Sequence, residues 1–369
     1  MSSDAREPSV STTARDGART LPLPTPRGPV SEALLALLVL DPVDAPQSAR
    51  DTFDEAVRSA PAVVDPDVLL TQDHDVQLAL FCLYELHYRG IEGVSDDWEW
   101  DASLLAARAV IERAFEAELR SRVELPELPA PDRASVAEAL FDLTSQDSGP
   151  GLSHFVAKKA TEEQLRDLLV HRSVYQLKEA DPHTWAIPRL GGAPKGALVE
   201  IQTDEYGGGD PALMHAALFA QTMRGLGLDD SYGAYVDCVD AATLASVNLM
   251  SFFGLHRRLR GAIVGHLAAF EMTSSIPNRL YGNGFRRTGH DAATTRYFDE
   301  HVEADAVHEQ LAVREVCGAL VAAEPDQADG VLFGAWTCLD LETRNAQATL
   351  VRWGHAGRAD SSSDEEAAA

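Results

Sequence analysis

The chain has 369 residues, 45% of them hydrophobic and 24% charged, enough to bury a large core without disulfide or metal staples. Its 58 acidic residues against 31 basic ones leave a formal net charge of −27, which repels phosphate backbones and anionic membranes and argues against nucleic-acid or membrane partners. Cys82, Cys238, Cys317 and Cys338 lie far apart in apolar stretches with no Cys-x-x-Cys pair, and read as reduced, buried thiols of a cytoplasmic protein. The longest apolar run, Ala33 to Leu40, is too short to span a bilayer, and no secretory leader is read.

In chain order, residues 1–28 are rich in Ser, Thr, Arg and Pro and read as a disordered arm. Residues 29–150 form an N-terminal helical extension. In it Ser31 caps a helix through Leu40, Val76–Tyr88 forms a second, and Ser103–Val123 forms the cleanest amphipathic helix. Breaks follow at Pro126–Pro131 and Ser148–Gly151. Within residues 151–356 the apolar spacing predicts helices over Thr161–Glu179, Ala212–Met223, Ala241–Phe253, Gly261–Thr273, Asp291–Ala322 and Ala328–Arg352. Leu198–Thr203 is ambiguous between helix and strand, and residues 357–369 read as an acidic disordered tail. The fold expected is all-α, a compact helical bundle carrying the extension.

The sharpest local signal is His301-x3-Asp305-x2-His308. On a helix, positions i, i+4 and i+7 share one stripe, so two imidazoles and a carboxylate project together. Nitrogen and oxygen donors without thiolate suit iron, manganese or zinc. Alone, the spacing fits an ordinary polar helix face equally well. Glu271 closes an apolar segment, where a buried carboxylate calls for a cation; a helix-terminal surface Glu is the plainer alternative. Asp204-Glu205-Tyr206 precedes Gly207-Gly208-Gly209, a helix break or a close backbone approach, and Asp210-Pro211 reads as the start of a helix carrying His215. Glu179 continues a helical register that Pro182 ends, and Asp181 and His183 are rival ligands that spacing does not separate from it. Glu-x-x-His pairs, a His-Glu-x-x-His motif, a Gly-x-Ser-x-Gly elbow and a Walker loop are all missing from the sequence. Glu85-Leu86-His87-Tyr88-Arg89 reads as a polar packing or dimer cluster, and Trp98 and Trp100 as core or interface anchors.

In their joint order and spacing these pieces resemble the haem-oxygenase-like diiron oxidases, the iron-containing redox enzymes, over roughly residues 150–355. The helices of residues 75–120 also resemble the N-terminal extensions of bacterial members. The resemblance implies a haem-oxygenase-type bundle with two irons in place of haem. Its ligand set maps onto Glu179, Glu205, His215, Glu271, His301, Asp305 and His308. It further implies O2 as co-substrate, an external electron donor (a reductase or chemical reductant) and a homodimer. Glu205 sits where N-oxygenases carry an added carboxylate, so the resemblance is closest to enzymes that oxidise a small primary amine in natural-product biosynthesis. The substrate would be an amino-acid side chain such as that of lysine, or an amino-heterocycle such as 2-aminoimidazole, and the product a hydroxylamine or nitro compound. The alternatives are a diiron oxidase that desaturates or fragments an amino or fatty acid, and a non-catalytic metal-binding protein on the same scaffold. His215 and His308 are expected on one iron, His301, Asp305 and Glu271 on the other, and Glu179 and Glu205 near the shared face. Arg279, Tyr281, Arg286 and Arg287, expected in a Gly-rich loop between Glu271 and His301, are candidate substrate-binding residues.

Overall fold

The computed structural model describes residues 20–145 and 151–355, with the side chains of Asp305 and Ala306 outside that description. The predicted break at Ser148–Gly151 and the C-terminal tail fall almost wholly outside the described residues, as does the arm up to residue 19. Among the described residues the chain is helical, and its one β feature is an isolated bridge between Leu21 and Ile91. The all-α expectation holds.

The first part comprises α1 (Pro29–Leu38), α2 (Gln47–Ser59), α3 (Pro61–Val64), α4 (His74–Glu85), α5 (Ala102–Arg122) and α6 (Arg133–Ser145). Then come α7 (Leu152–Lys158), α8 (Glu162–Gln176), α9 (Asp181–Thr184), α10 (Gly192–Glu205), α11 (His215–Gly225) and α12 (Ala241–Leu255). The last part holds α13 (Arg260–Arg287), α14 (Ala292–Gln310), a π-helical stretch over Leu311–Gly318, α15 (Ala319–Ala323) and α16 (Ala328–Arg352). Polar side chains start the long helices. Asp73, Asp101, Asp240 and Asp291 accept from first-turn backbone N–H groups of α4, α5, α12 and α14, and Thr161 with Gln164 closes a capping box on α8.

Several boundaries differ from expectation, each for a local reason. Residues 20–28, assigned to the arm, are held in place. Leu21 is fully buried and exchanges backbone hydrogen bonds with Gly90 and Glu92, while Thr25 binds the Asp237 carboxylate. Ser31 lies inside α1, not at its cap, and bonds the Asp75 carboxylate across the packing of α1 on α4. The ambiguous Leu198–Thr203 is helical, within α10. α13 runs on through Pro277 to Arg287, so the residues expected in a loop are helical. Pro277 merely withholds the N–H that would have met the Thr273 carbonyl. Cys82, Cys317 and Cys338 are buried free thiols as expected, whereas Cys238 is exposed.

α13 is the spine. It packs along α16 and α14 and against α7; α14 in turn meets α11, and α12 joins α4 to α16. One contiguous apolar core therefore runs from Leu34 and Leu80 through Phe252 and Val264 to Phe333. The α13–α16 crossing is set by glycines at four-residue spacing, Gly261 and Gly265 facing Gly330 and Gly334. A methyl group at Gly265 would run into the Val331 carbonyl, and one at Gly334 into the Ala262 carbonyl. Such close approach favours dispersion contact along the whole crossing. Gly334→Ala is expected to destabilise the protein by about 1–3 kcal/mol through overpacking, read as a lowered urea midpoint at unchanged m-value. An unshifted midpoint would show that the helices do not cross this closely.

Candidate metal centre

Each candidate ligand is placed by a local backbone device. Glu179 lies in the turn that ends α8, directly before Ala180, whose φ of 72° makes it the one described non-glycine residue with positive φ. That left-handed residue turns the chain into Pro182 and α9. Lys178 beside it is 1% exposed and paired with Glu85 of α4, which is itself fully buried. The ammonium sits 4.3 Å from the Tyr88 ring centroid and 5.0 Å from that of Phe81. The Glu85–Arg89 cluster is thus packing within one chain.

Glu205 is the last residue of α10 and His215 the first of α11. Between them a Cβ on Gly207 would lie 2.6 Å from the backbone of Leu213 and Met214, so only glycine lets the chain double back this closely. α11 starts later than Asp210-Pro211 suggested, because Asp210 spends its carboxylate on the Ala212 N–H of that turn. Glu271 is in mid-α13, and His301 and His308 lie two turns apart on α14.

These residues converge as two buried trios, Glu179–His215–His301 and Glu205–Glu271–His308, whose ligand atoms lie within 4.8 Å of one another in each trio. This differs from the expected division. His215 groups with His301, and Glu271 with His308, because α11 packs beside the His301 turn of α14 while the ends of α10 and the middle of α13 close on His308. Asp305 has its side chain outside the described residues. Glu205 links the trios. Its Oε2 is 3.0 Å from His215 Nδ1, and its Oε1 is 3.8 Å from His308 Nδ1.

Neighbouring groups orient the imidazoles. His301 Nδ1 lies 2.8 Å from the Tyr297 carbonyl, which fixes that nitrogen as the donor and turns Nε2 toward Glu179 Oε1 at 3.6 Å. His308 Nε2 is 3.2 Å from Asp204 Oδ2, which leaves Nδ1 facing Glu271 Oε2 at 3.6 Å. The Tyr297 hydroxyl donates to Glu179 Oε1 at 2.8 Å. Carbonyl or carboxylate behind imidazole is the support that metal-bound histidines receive. Tyr297 and Asp204 carry no spacing signal that marks them as supports of the imidazoles. Their only sequence trace is position, one turn before His301 and one residue before Glu205.

Electrostatically the centre is a dense ion cluster. Burial alone would push the Glu205 carboxyl up, but His215, His301 and His308 hold it down to about 2. Burial opposes the charge on His308, yet Glu271, Asp204 and Glu205 outweigh it and push the imidazole up to about 9. Buried Glu179 Oε2, His215 Nδ1 and His308 Nδ1 make no hydrogen bond. Ligand atoms of this kind, close to opposite charges but without an aligned hydrogen bond in the interior, are what a bound cation satisfies. The donors are nitrogen and carboxylate oxygen with no thiolate, which fits iron.

The remaining candidates belong to neither trio, although His183 lines the cavity next to them. Asp181 accepts from the Tyr206 hydroxyl, and His183 pairs with His266 at 3.2 Å. Burial lowers both of those imidazoles, His183 to about 4. Arg279 is exposed, Arg286 pairs with Asp299, and Arg287 donates to the carbonyls of Val156, Ala157 and Ala160, so none of these arginines serves the site as expected. Tyr281 does face inward. It lines a cavity of about 860 Å³ whose wall includes Glu179, Glu205, Glu271 and His301.

Residues 166–343, which contain every candidate ligand, match the family of iron-containing redox enzymes, and the helical domain built from them is of that family. The two buried His/Glu trios fit a diiron site within it. Among characterised proteins, the chain is 26% identical over 190 residues to nitrosourea synthase of Streptomyces achromogenes subsp. streptozoticus. That alignment covers 50% of this chain and 40% of the relative, so the chain spans well under half of the protein it resembles. No described helix is long and apolar enough to cross a membrane.

With its imidazole pushed up to about 9 against burial by Glu271, Asp204 and Glu205, His308 holds a proton at pH 7 that a bound metal must displace. Ferrous-iron affinity is therefore expected to rise with pH between 7 and 9, by about tenfold per unit for each proton displaced. Calorimetry in buffers of differing ionisation heat should show proton release. Binding heats independent of buffer would overturn this placement of His308.

Proposed function

We propose that the two trios hold two iron ions and that the protein is a non-haem diiron N-oxygenase, oxidising a small primary amine with O2 and electrons from an external donor. The observation that carries this reading is Glu205. As a carboxylate in contact with one histidine of each trio, it adds an anionic group at the junction of the two iron positions. The similarity to a protein named for the synthesis of a nitrosourea supports nitrogen as the atom oxidised.

The first oxidation balances as RNH2 + O2 + 2 e− + 2 H+ → RNHOH + H2O, and repetition carries the nitrogen toward nitro, a pattern suited to natural-product biosynthesis. Iron bound in the trios would supply the redox couple that reduces O2. The chain's own residues do the rest. Glu179, Glu205 and Glu271 offset the positive charge of the metals in a buried setting. The backbone carbonyl behind His301 and the Asp204 carboxylate behind His308 keep each imidazole in one orientation as that charge changes. Leu267 and Phe270 line the cavity beside Glu271 and keep bulk water from the reacting amine.

Anaerobic loading with ferrous iron followed by metal counting is expected to give two irons per chain. Rapid mixing with O2 should then give a transient visible absorption, and an amine screen under 18O2 should give products heavier by the labelled oxygen. Zero or one iron, or no transient, would overturn the diiron reading. Glu205→Ala is expected to lower amine oxidation by about a hundredfold. If it keeps full turnover and the products come from carbon–carbon cleavage or desaturation, the enzyme is a carbon oxidase instead.

A further inference from the structure

The cavity that touches the trios is also lined by two further groups of opposite charge. Arg172 of α8 and Glu342 of α16 both line it. The Arg172 guanidinium stacks over the Tyr281 ring, with Cζ 4.6 Å from the centroid, and donates to the Tyr281 hydroxyl at 3.1 Å. No carboxylate among the described residues pairs with it at salt-bridge distance. Glu342 is close enough for the two charges to be felt, since burial pushes its carboxyl up while Arg172 pulls it down. A cation and a carboxyl thus line the same cavity, within electrostatic reach of each other and outside ion-pair distance. Both side chains are half-buried, with Ser246 beside Glu342, and neither has an ion-pair partner among the described residues, so the space they line suits an occupant that carries both signs.

We propose that Arg172 and Glu342 bind the head group of a free α-amino acid, the carboxylate on Arg172 and the α-ammonium on Glu342, with a side-chain amine delivered to the trios. This rests on the N-oxygenase reading only for which end of the molecule reacts. A planar guanidinium already braced by stacking matches a carboxylate with paired N–H donors. A zwitterionic head satisfies both charges at once, whereas an amino-heterocycle, cationic and without a carboxylate, leaves Arg172 unpaired. Arg172 and Glu179 line the same cavity, and Val247, Met250 and Phe270 offer apolar surface there to the methylenes of a side chain of three or four carbons ending in an amine.

The test is anaerobic titration calorimetry on the iron-loaded full chain, without reductant so that nothing turns over. The ligands are L-lysine, L-ornithine, L-arginine, 1,5-diaminopentane, 6-aminohexanoate and 2-aminoimidazole. At least one of the three amino acids is expected to bind. For L-lysine, loss of the carboxylate in 1,5-diaminopentane, or of the α-amine in 6-aminohexanoate, should weaken binding about tenfold to a hundredfold. Arg172→Met should abolish the preference for L-lysine over 1,5-diaminopentane, and Glu342→Gln the preference over 6-aminohexanoate. Arg172→Lys guards against misfolding, since it keeps the charge and should weaken the amino acid while leaving the melting curve in place. Tyr281→Phe should keep the discrimination. The proposal is overturned if 1,5-diaminopentane or 2-aminoimidazole binds as tightly as the amino acids, if none of the amino acids binds, or if Arg172→Met leaves the preference unchanged. Metal counts on the same samples separate the two readings. Amino-acid discrimination without two irons would sink the diiron assignment alone, and two irons without amino-acid binding would sink this one alone.

Discussion

Everything in the catalytic half of the molecule answers to one constraint, the burial of three carboxylates and three imidazoles at a single point. Glu179, Glu205, Glu271, His215, His301 and His308 are each less than a tenth exposed or at that limit. Groups of this kind are costly in an apolar interior unless they neutralise one another or bind metal. Here they do the first incompletely. Glu205 is held ionised by the histidines around it, yet donor atoms on Glu179, His215 and His308 still point into the cluster without a hydrogen bond. The left-handed Ala180, the doubled-back Gly207 turn and the mid-helix placement of Glu271 are the backbone devices that bring these side chains together from four separate segments.

Much of this was legible in the residues because helical spacing is a strong signal. His301 and His308 share a stripe by arithmetic alone, and Glu205 and His215 announce themselves through the glycines between them. The division into trios was not legible. It depends on which turn of α14 each neighbouring helix meets, a tertiary fact with no trace in local spacing. The same limit explains the arginines. Arg279, Arg286 and Arg287 looked like loop residues because Gly282, Gly284 and Pro277 are helix breakers in isolation. Packing of α13 against α7, α14 and α16 overrides that preference, and Gly284 is needed where the helix passes the Val156 carbonyl. Arg172, by contrast, sits in an unremarkable amphipathic helix, and only the cavity shows what it faces.

The N-terminal helices are part of the same structure by physical connection as well as by shared core. The α4 carboxylate of Glu85 reaches the ammonium of Lys178, inside a cage of Phe81, Tyr88 and Tyr232 rings, and Lys178 is the peptide neighbour of Glu179. A buried ion pair of this kind adds little net stability, but removing one partner strands a charge. Through it, the first hundred residues bear on where a candidate iron ligand sits.

The glycine crossing of α13 and α16 has a mechanical meaning. Helices whose backbones touch carbonyl to glycine have no side-chain layer between them to shear, so Glu271 is mounted on a post. The opposing histidines are mounted differently. Two residues past His308, α14 gives way to the wider, more loosely wound π turns of Leu311–Gly318. A cation held between Glu271 and His308 would thus have one ligand on a helix locked backbone to backbone and the other next to a wider turn.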